Sequence, residues 1–183
     1  MVVCLDHSGS MYVEDEQGVS RLDKARALAL AVVLEALSQG RKAAIVWFNG
    51  VVSRVDWFES QQDCSMQKIE QMMAVEPEGG TDWMNALEKA AEIITGAGYG
   101  VPDGFEKSDV ILLTDGLDNV SEWKAKQWRQ VRDDHRFSCY GIAVAEDKAP
   151  VEVVCDDVWV GSQLLEGDCI EFAVGTLKER RDE

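Results

Sequence analysis

Val2-Val3-Cys4-Leu5-Asp6-His7-Ser8-Gly9-Ser10-Met11 opens the chain and decides how the rest is read. Four apolar residues run straight into an acid. Such a run reads as a short buried strand. Asp6 then stands just past its end, where a parallel α/β sheet opens its ligand crevice. Ser8 and Ser10 follow on alternate positions, and Gly9 between them permits a tight loop that turns both hydroxyls inward. An acid and two hydroxyls at i, i+2 and i+4 place three oxygens to converge on one point. Oxygen donors without His or Cys suit a hard cation such as Mg²⁺.

Outward from this stretch, strand and helix signals alternate. Ser20-Arg21-Leu22-Asp23 has the capping-box form, and Leu22, Ala25, Ala29, Val32, Val33 and Ala36 recur at helical spacing up to Gly40. Residues 12–19 read as a solvated polar loop. Residues 43–48 are unbroken apolar, as in a strand buried on both faces. Asn49-Gly50 signals a hairpin into residues 51–58, whose mixed character suits an antiparallel edge strand. Residues 65–73 predict a short helix with Met66, Ile69, Met72 and Met73 filling the core. Thr81 is expected to open a helix with Met84, Leu87, Ala91 and Ile94 as its apolar stripe. Residues 96–104 are a glycine-rich loop. Residues 110–113 form another buried strand, ending at Thr114-Asp115. Residues 121–132 predict a helix in which Trp123 and Trp128 do not share a stripe, so one is partly exposed. Strands over 137–145 and 158–160 and a last helix over 170–177 complete the pattern. It predicts a doubly wound, Rossmann-like α/β fold with helices on both faces.

Asp-x-Ser-x-Ser after a short apolar strand, then Gly79-Gly80-Thr81-Asp82, then Leu112-Leu113-Thr114-Asp115-Gly116: in this order and spacing the three pieces resemble the metal-ion-dependent adhesion site of von Willebrand factor A domains of the bacterial intracellular type. The resemblance covers nearly the whole chain. It implies a mostly parallel six-stranded sheet of order 3-2-1-4-5-6 with one antiparallel edge strand. It also implies roles. Ser8 and Ser10 ligate the metal through their hydroxyls, and Thr81 joins directly or through water. Asp6 and Asp115 act mostly through water and hydrogen bonds that orient the ligands. The cation is Mg²⁺, or Mn²⁺ or Ca²⁺, and neutral hydroxyl ligands leave it open to a carboxylate from a protein partner. Such domains often work beside AAA+ ATPases of the MoxR type.

The chain has 183 residues, which suits one domain spanning 1–183 with an ample core. Its opening strand has almost nothing before it, so it reads as a domain cut from a longer protein. The net charge of −16 argues against nucleic acid and against anionic membrane surfaces as partners. No segment has the length of an apolar membrane span. Five cysteines without a CxxC pair or pairing rhythm suit a reducing, cytoplasmic setting in which they stay independent thiols. The alternative function is a metal-assisted hydrolase using the same cation. The motif supplies no general base for it, so the chain is read as a non-enzyme. A Ser8, His135 and Asp115 triad is the remaining catalytic arrangement; Ser8 lacks the surrounding nucleophile elbow. A haloacid-dehalogenase-like phosphatase would need an acid where Ser8 stands.

Overall fold

The computed structural model describes residues 1–145 and 147–161. One six-stranded sheet has the order β3-β2-β1-β4-β5-β6, as the resemblance implies. The strands are β1 (Val2–Asp6), β2 (Ala43–Phe48), β3 (Val52–Phe58), β4 (Val110–Thr114), β5 (Cys139–Ala143) and β6 (Asp157–Val160). β3 pairs antiparallel with β2 at one edge, and the other pairs are parallel.

Both faces of the sheet are covered. Val3 and Leu5 of β1 join Ile45, Trp47, Ile111 and Leu113 on one side, beneath α1 (Arg21–Ser38) and Met72 of α2 (Met66–Met73). Val2 and Cys4 join Ala44, Val46, Phe48, Val110 and Leu112 on the other, beneath α3 (Trp83–Thr95) and α4 (Glu122–His135). Fully burying one such side chain contributes roughly 1.5–3 kcal/mol. The unbroken apolar runs thus supply the free energy that holds polar residues at the strand ends.

α1 begins as its capping residues dictate. Ser20 Oγ accepts from Asp23 N at 3.0 Å and donates to Asp23 Oδ2 at 2.7 Å. It gives way at Gly40, which adopts φ +71°. Trp128 is buried and Trp123 is 66 % exposed, which separates the two tryptophans as their spacing requires.

Two local expectations need correction. Met66 is 71 % and Met73 49 % exposed, so of these methionines only Met72 fills the core; α2 lies at the rim, where one helical face finds too little to pack against. Thr81 does not open α3. Asp82 is the N-cap, its Oδ1 accepting from Met84 N at 3.0 Å. β2 and β3 form the hairpin that Asn49-Gly50 signals, joined by a three-residue loop over 49–51 in which Asn49 Oδ1 accepts from Val51 N at 3.1 Å. The four described cysteines are free thiols, as expected, with the Cys139 and Cys155 Sγ atoms 3.6 Å apart in the core.

A short α5 (Ala149–Glu152) had no helical signal of its own. The helix expected over 170–177, and Cys169, lie outside the described residues.

Candidate metal centre

β1 and β4 are adjacent and parallel, with Leu5 beside Leu113. Asp6 is the last residue of β1 and Asp115 directly follows β4. From β1 the sheet continues one way to β2, and from β4 the other way to β5. The reversal opens a crevice at the carboxyl ends of the two strands, and both acids stand at it.

Asp6 is fully buried and bonded on both oxygens. Its Oδ1 accepts from Ser8 N at 2.8 Å, and its Oδ2 accepts from Thr114 Oγ1 at 2.6 Å. The first bond bends the chain back on itself, so Ser8 and Ser10 come to the same side. Their Oγ atoms are 3.2 Å apart. Asp115 Oδ1 accepts from Leu117 N at 3.1 Å, and Oδ2 accepts from Arg21 Nη1 at 3.0 Å.

Thr81 arrives on a third loop that several bonds hold against the first. Gly9 N donates to Gly79 O at 3.1 Å and Glu78 N to His7 O at 2.9 Å. A Cβ on residue 9 would stand 3.2 Å from Gly79 O, so the close approach of the two loops itself favours glycine there. Asn49 Nδ2 donates to Glu78 O at 3.2 Å, and Asp82 N donates to Asn49 O at 2.9 Å. Arg26 Nη2 donates to Val75 O. Asp118 Oδ2 accepts from Trp83 N at 2.8 Å, tying the loop after β4 to the start of α3. Asp6, Ser8 and Ser10 are therefore gathered in one short loop, and Arg21 Nη1 bridges Asp115 Oδ2 to Ser10 O. Thr81 is half-buried, two residues past the Gly79 anchor.

The donor set fits a hard cation. Ligands at about 2.0–2.1 Å put neighbouring corners of an octahedron about 2.9 Å apart. The 3.2 Å between the serine hydroxyls is close to that span. Burial pushes the Asp6 carboxyl up to about 6, against the pull of the Thr114 and Ser8 bonds, and Asp115 adds to the rise. A carboxylate so placed lacks a positive neighbour of its own, and a bound cation would supply one. Among the described residues no group of three or more His, Cys, Asp or Glu side chains is arranged to hold a metal.

Several contributors escaped the sequence reading. Thr114 was quoted only as part of a motif, yet its hydroxyl links Asp6 to Trp83 Nε1 at 3.2 Å. Arg21 was read only as part of a helix cap, and Asn49 only as a turn residue. His7 is a tether: Nδ1 faces Glu76 O at 3.3 Å and Nε2 faces Ser53 Oγ at 2.9 Å. Burial lowers its pKa. Both ring nitrogens are engaged away from Ser8. His135 ends α4 and leads into β5, so it lies at the amino ends of the strands. That is the opposite end of the sheet from Ser8 and Asp115, and the Ser8, His135 and Asp115 triad does not form.

An uncharacterised protein of Methanocaldococcus jannaschii, MJ0811, is 24 % identical over 144 residues; the match takes in 79 % of this chain and 30 % of that protein's length. A von Willebrand factor type A structure from Catenulispora acidiphila superimposes with a TM-score of 0.62 at 22 % identity, over 93 % of this chain and 41 % of that one. The manganese-loaded TRAP protein of Plasmodium vivax superimposes with a TM-score of 0.53 at 16 % identity, over 87 % and 66 %. At such identities these structures speak for the fold. Residues 1–117, which carry all three motif pieces, match the family described as the von Willebrand factor type A domain, and the chain belongs to that family.

Proposed function

We propose that this domain is a protein-binding module that depends on a divalent cation held by Asp6, Ser8, Ser10, Thr81 and Asp115. The observation that carries the reading is the pair of serine hydroxyls 3.2 Å apart beside two buried carboxylates at the sheet's reversal point. A cation bound there supplies an electrophilic centre able to take a carboxylate oxygen from a partner. Ser8 and Ser10 present neutral oxygens and so leave that charge largely unspent. Asp6 and Asp115 each have both oxygens held by donors of the protein, which sets their orientation before anything binds.

Mg²⁺ is the preferred occupant, with Mn²⁺ or Ca²⁺ as substitutes. The manganese-loaded TRAP structure supports the divalent class. The net charge of −16 selects a partner that is neutral or basic overall and offers one exposed Glu or Asp. An AAA+ ATPase of the MoxR type, acting in the cytoplasm on a longer protein that contains this domain, is the partner class proposed. No described helix is long and apolar enough to cross a membrane. Calorimetry with Mg²⁺ and Mn²⁺ tests the site, and capture of partners with Mg²⁺ against EDTA tests the function. Binding should be lost with EDTA and with Ser10→Ala. Partner affinity indifferent to chelation would put the contact elsewhere on the domain.

A further inference from the structure

Arg21 is the first residue of α1, and the Ser20 cap directs it at the crevice. Its Nη1 lies 3.0 Å from Asp115 Oδ2 and 3.5 Å from Ser10 O, so the guanidinium touches two residues of the candidate ligand set. The side chain is 26 % exposed while that of Asp115 is fully buried. The guanidinium thus spans from the buried acid to solvent. A guanidinium carries five N–H donors in a planar fork. Among the described residues its bonds all use Nη1, which leaves Nε and Nη2 for something that arrives from outside.

We infer that Arg21 is a specificity-determining residue that takes one oxygen of the incoming carboxylate while the cation takes the other. This rests on the metal-dependent reading above. Two neighbouring positive centres select a planar, two-oxygen anion over a lone hydroxyl or water, because a fork-shaped donor adds geometry to charge. The same placement has a cost. A fixed positive charge next to the cation's position opposes metal entry, and it neutralises part of Asp115. Arg21 therefore weakens the metal and strengthens the carboxylate. A residue that served only to orient Asp115 would act in the same direction on both.

The test uses that crossed sign. Mg²⁺ affinity is measured by calorimetry on the wild type, Arg21→Gln and Arg21→Lys. Acetate is then titrated into each Mg²⁺-saturated protein and followed by amide chemical shifts, which also report that each variant is folded. Arg21→Gln should bind Mg²⁺ at least threefold more tightly and acetate at least tenfold more weakly. Arg21→Lys should restore wild-type Mg²⁺ affinity and only part of the acetate affinity, since it keeps the charge without the fork. Weaker Mg²⁺ binding by Arg21→Gln, or unchanged acetate binding, would overturn the inference and leave the metal reading standing. Failure of the wild type to bind Mg²⁺ or Mn²⁺ would overturn the metal reading itself, and the inference with it.

Discussion

The ends of β1 and β4 differ in what balances their acids. At β1, the donors to Asp6 among the described residues are neutral, the Ser8 amide and the Thr114 hydroxyl. At β4, Asp115 has an amide and the Arg21 guanidinium. The two strands are neighbours in register, and both acids are buried. The charge of Asp115 is therefore met within the chain, whereas that of Asp6 is met only by dipoles. We read this as a division of labour. On the metal-dependent reading proposed above, Asp6 creates the demand for a cation, and Asp115 sets how strongly that demand competes with the protein's own positive charge.

The largest effect should come from removing the unbalanced acid. Asp6→Ala should lower Mg²⁺ affinity tenfold or more by calorimetry. Equal affinity in the variant would break the division outright. Next comes the neutral donor that Asp6 shares with α3. Thr114→Val keeps the shape and deletes a hydroxyl that donates to Asp6 Oδ2 and accepts from Trp83 Nε1. Three buried groups lose a partner, since Gly116 N also donates to this hydroxyl at 3.3 Å, so denaturant unfolding should show a loss of about 1–3 kcal/mol. Mg²⁺ affinity should fall about tenfold as Asp6 loses its orientation. A stable variant with unchanged affinity would show that dipoles do not hold Asp6.

The comparison also shows where the sequence was legible. β1, β2 and β4 were readable because each is an apolar run ended by a polar residue, and they begin and end close to where those runs do. The serines and acids were readable from their spacing. Thr114 was not, because a threonine ending a strand has no local mark of the side chain it will meet 108 positions away. Arg21 hid behind a stronger local signal, the cap of α1. Asn49 was read as a tight-turn residue, but both its side-chain nitrogen and its carbonyl are committed to the loop bearing Thr81. Met66 and Met73 were misread because helical spacing shows which residues share a side and not whether anything covers it.

A smaller effect is expected at the cap that aims Arg21. Ser20→Ala removes the oxygen that accepts from Asp23 N and should cost about 1 kcal/mol of stability in thermal or denaturant unfolding. Because Arg21 starts the same helix, fraying there should relax its hold on Asp115. Mg²⁺ affinity should then move in the direction of Arg21→Gln, by less. A shift in the opposite direction would show that the cap supports the site by some route other than Arg21.

The smallest effect tests whether charge also sets the third loop. Asp23 is half-exposed and accepts from Arg26 Nη1 at 2.9 Å, while Arg26 reaches Val75 O on the loop that leads to Thr81. The Ser20 hydroxyl, and then Arg26, hold the Asp23 carboxyl below the usual carboxylate range. A carboxyl whose folded pKa is depressed stabilises the fold above its unfolded pKa and loses that contribution as pH falls through the folded value. Solvent screens the pair, so Asp23→Asn should cost only about half a kcal/mol at pH 7. The gap between wild type and variant should stay constant down to about pH 5, begin to narrow near pH 4, the ordinary range of an aspartate, and close as pH falls through the lower folded value. It should also narrow in high salt. Urea unfolding of both proteins across this pH range makes the measurement. A gap that does not narrow at all as pH falls below about 4 would mean that the Ser20 and Arg26 contacts act through geometry alone. The loop bearing Thr81 would then be held by its backbone bonds to His7, Gly9 and Asn49, with charge confined to the two strand ends.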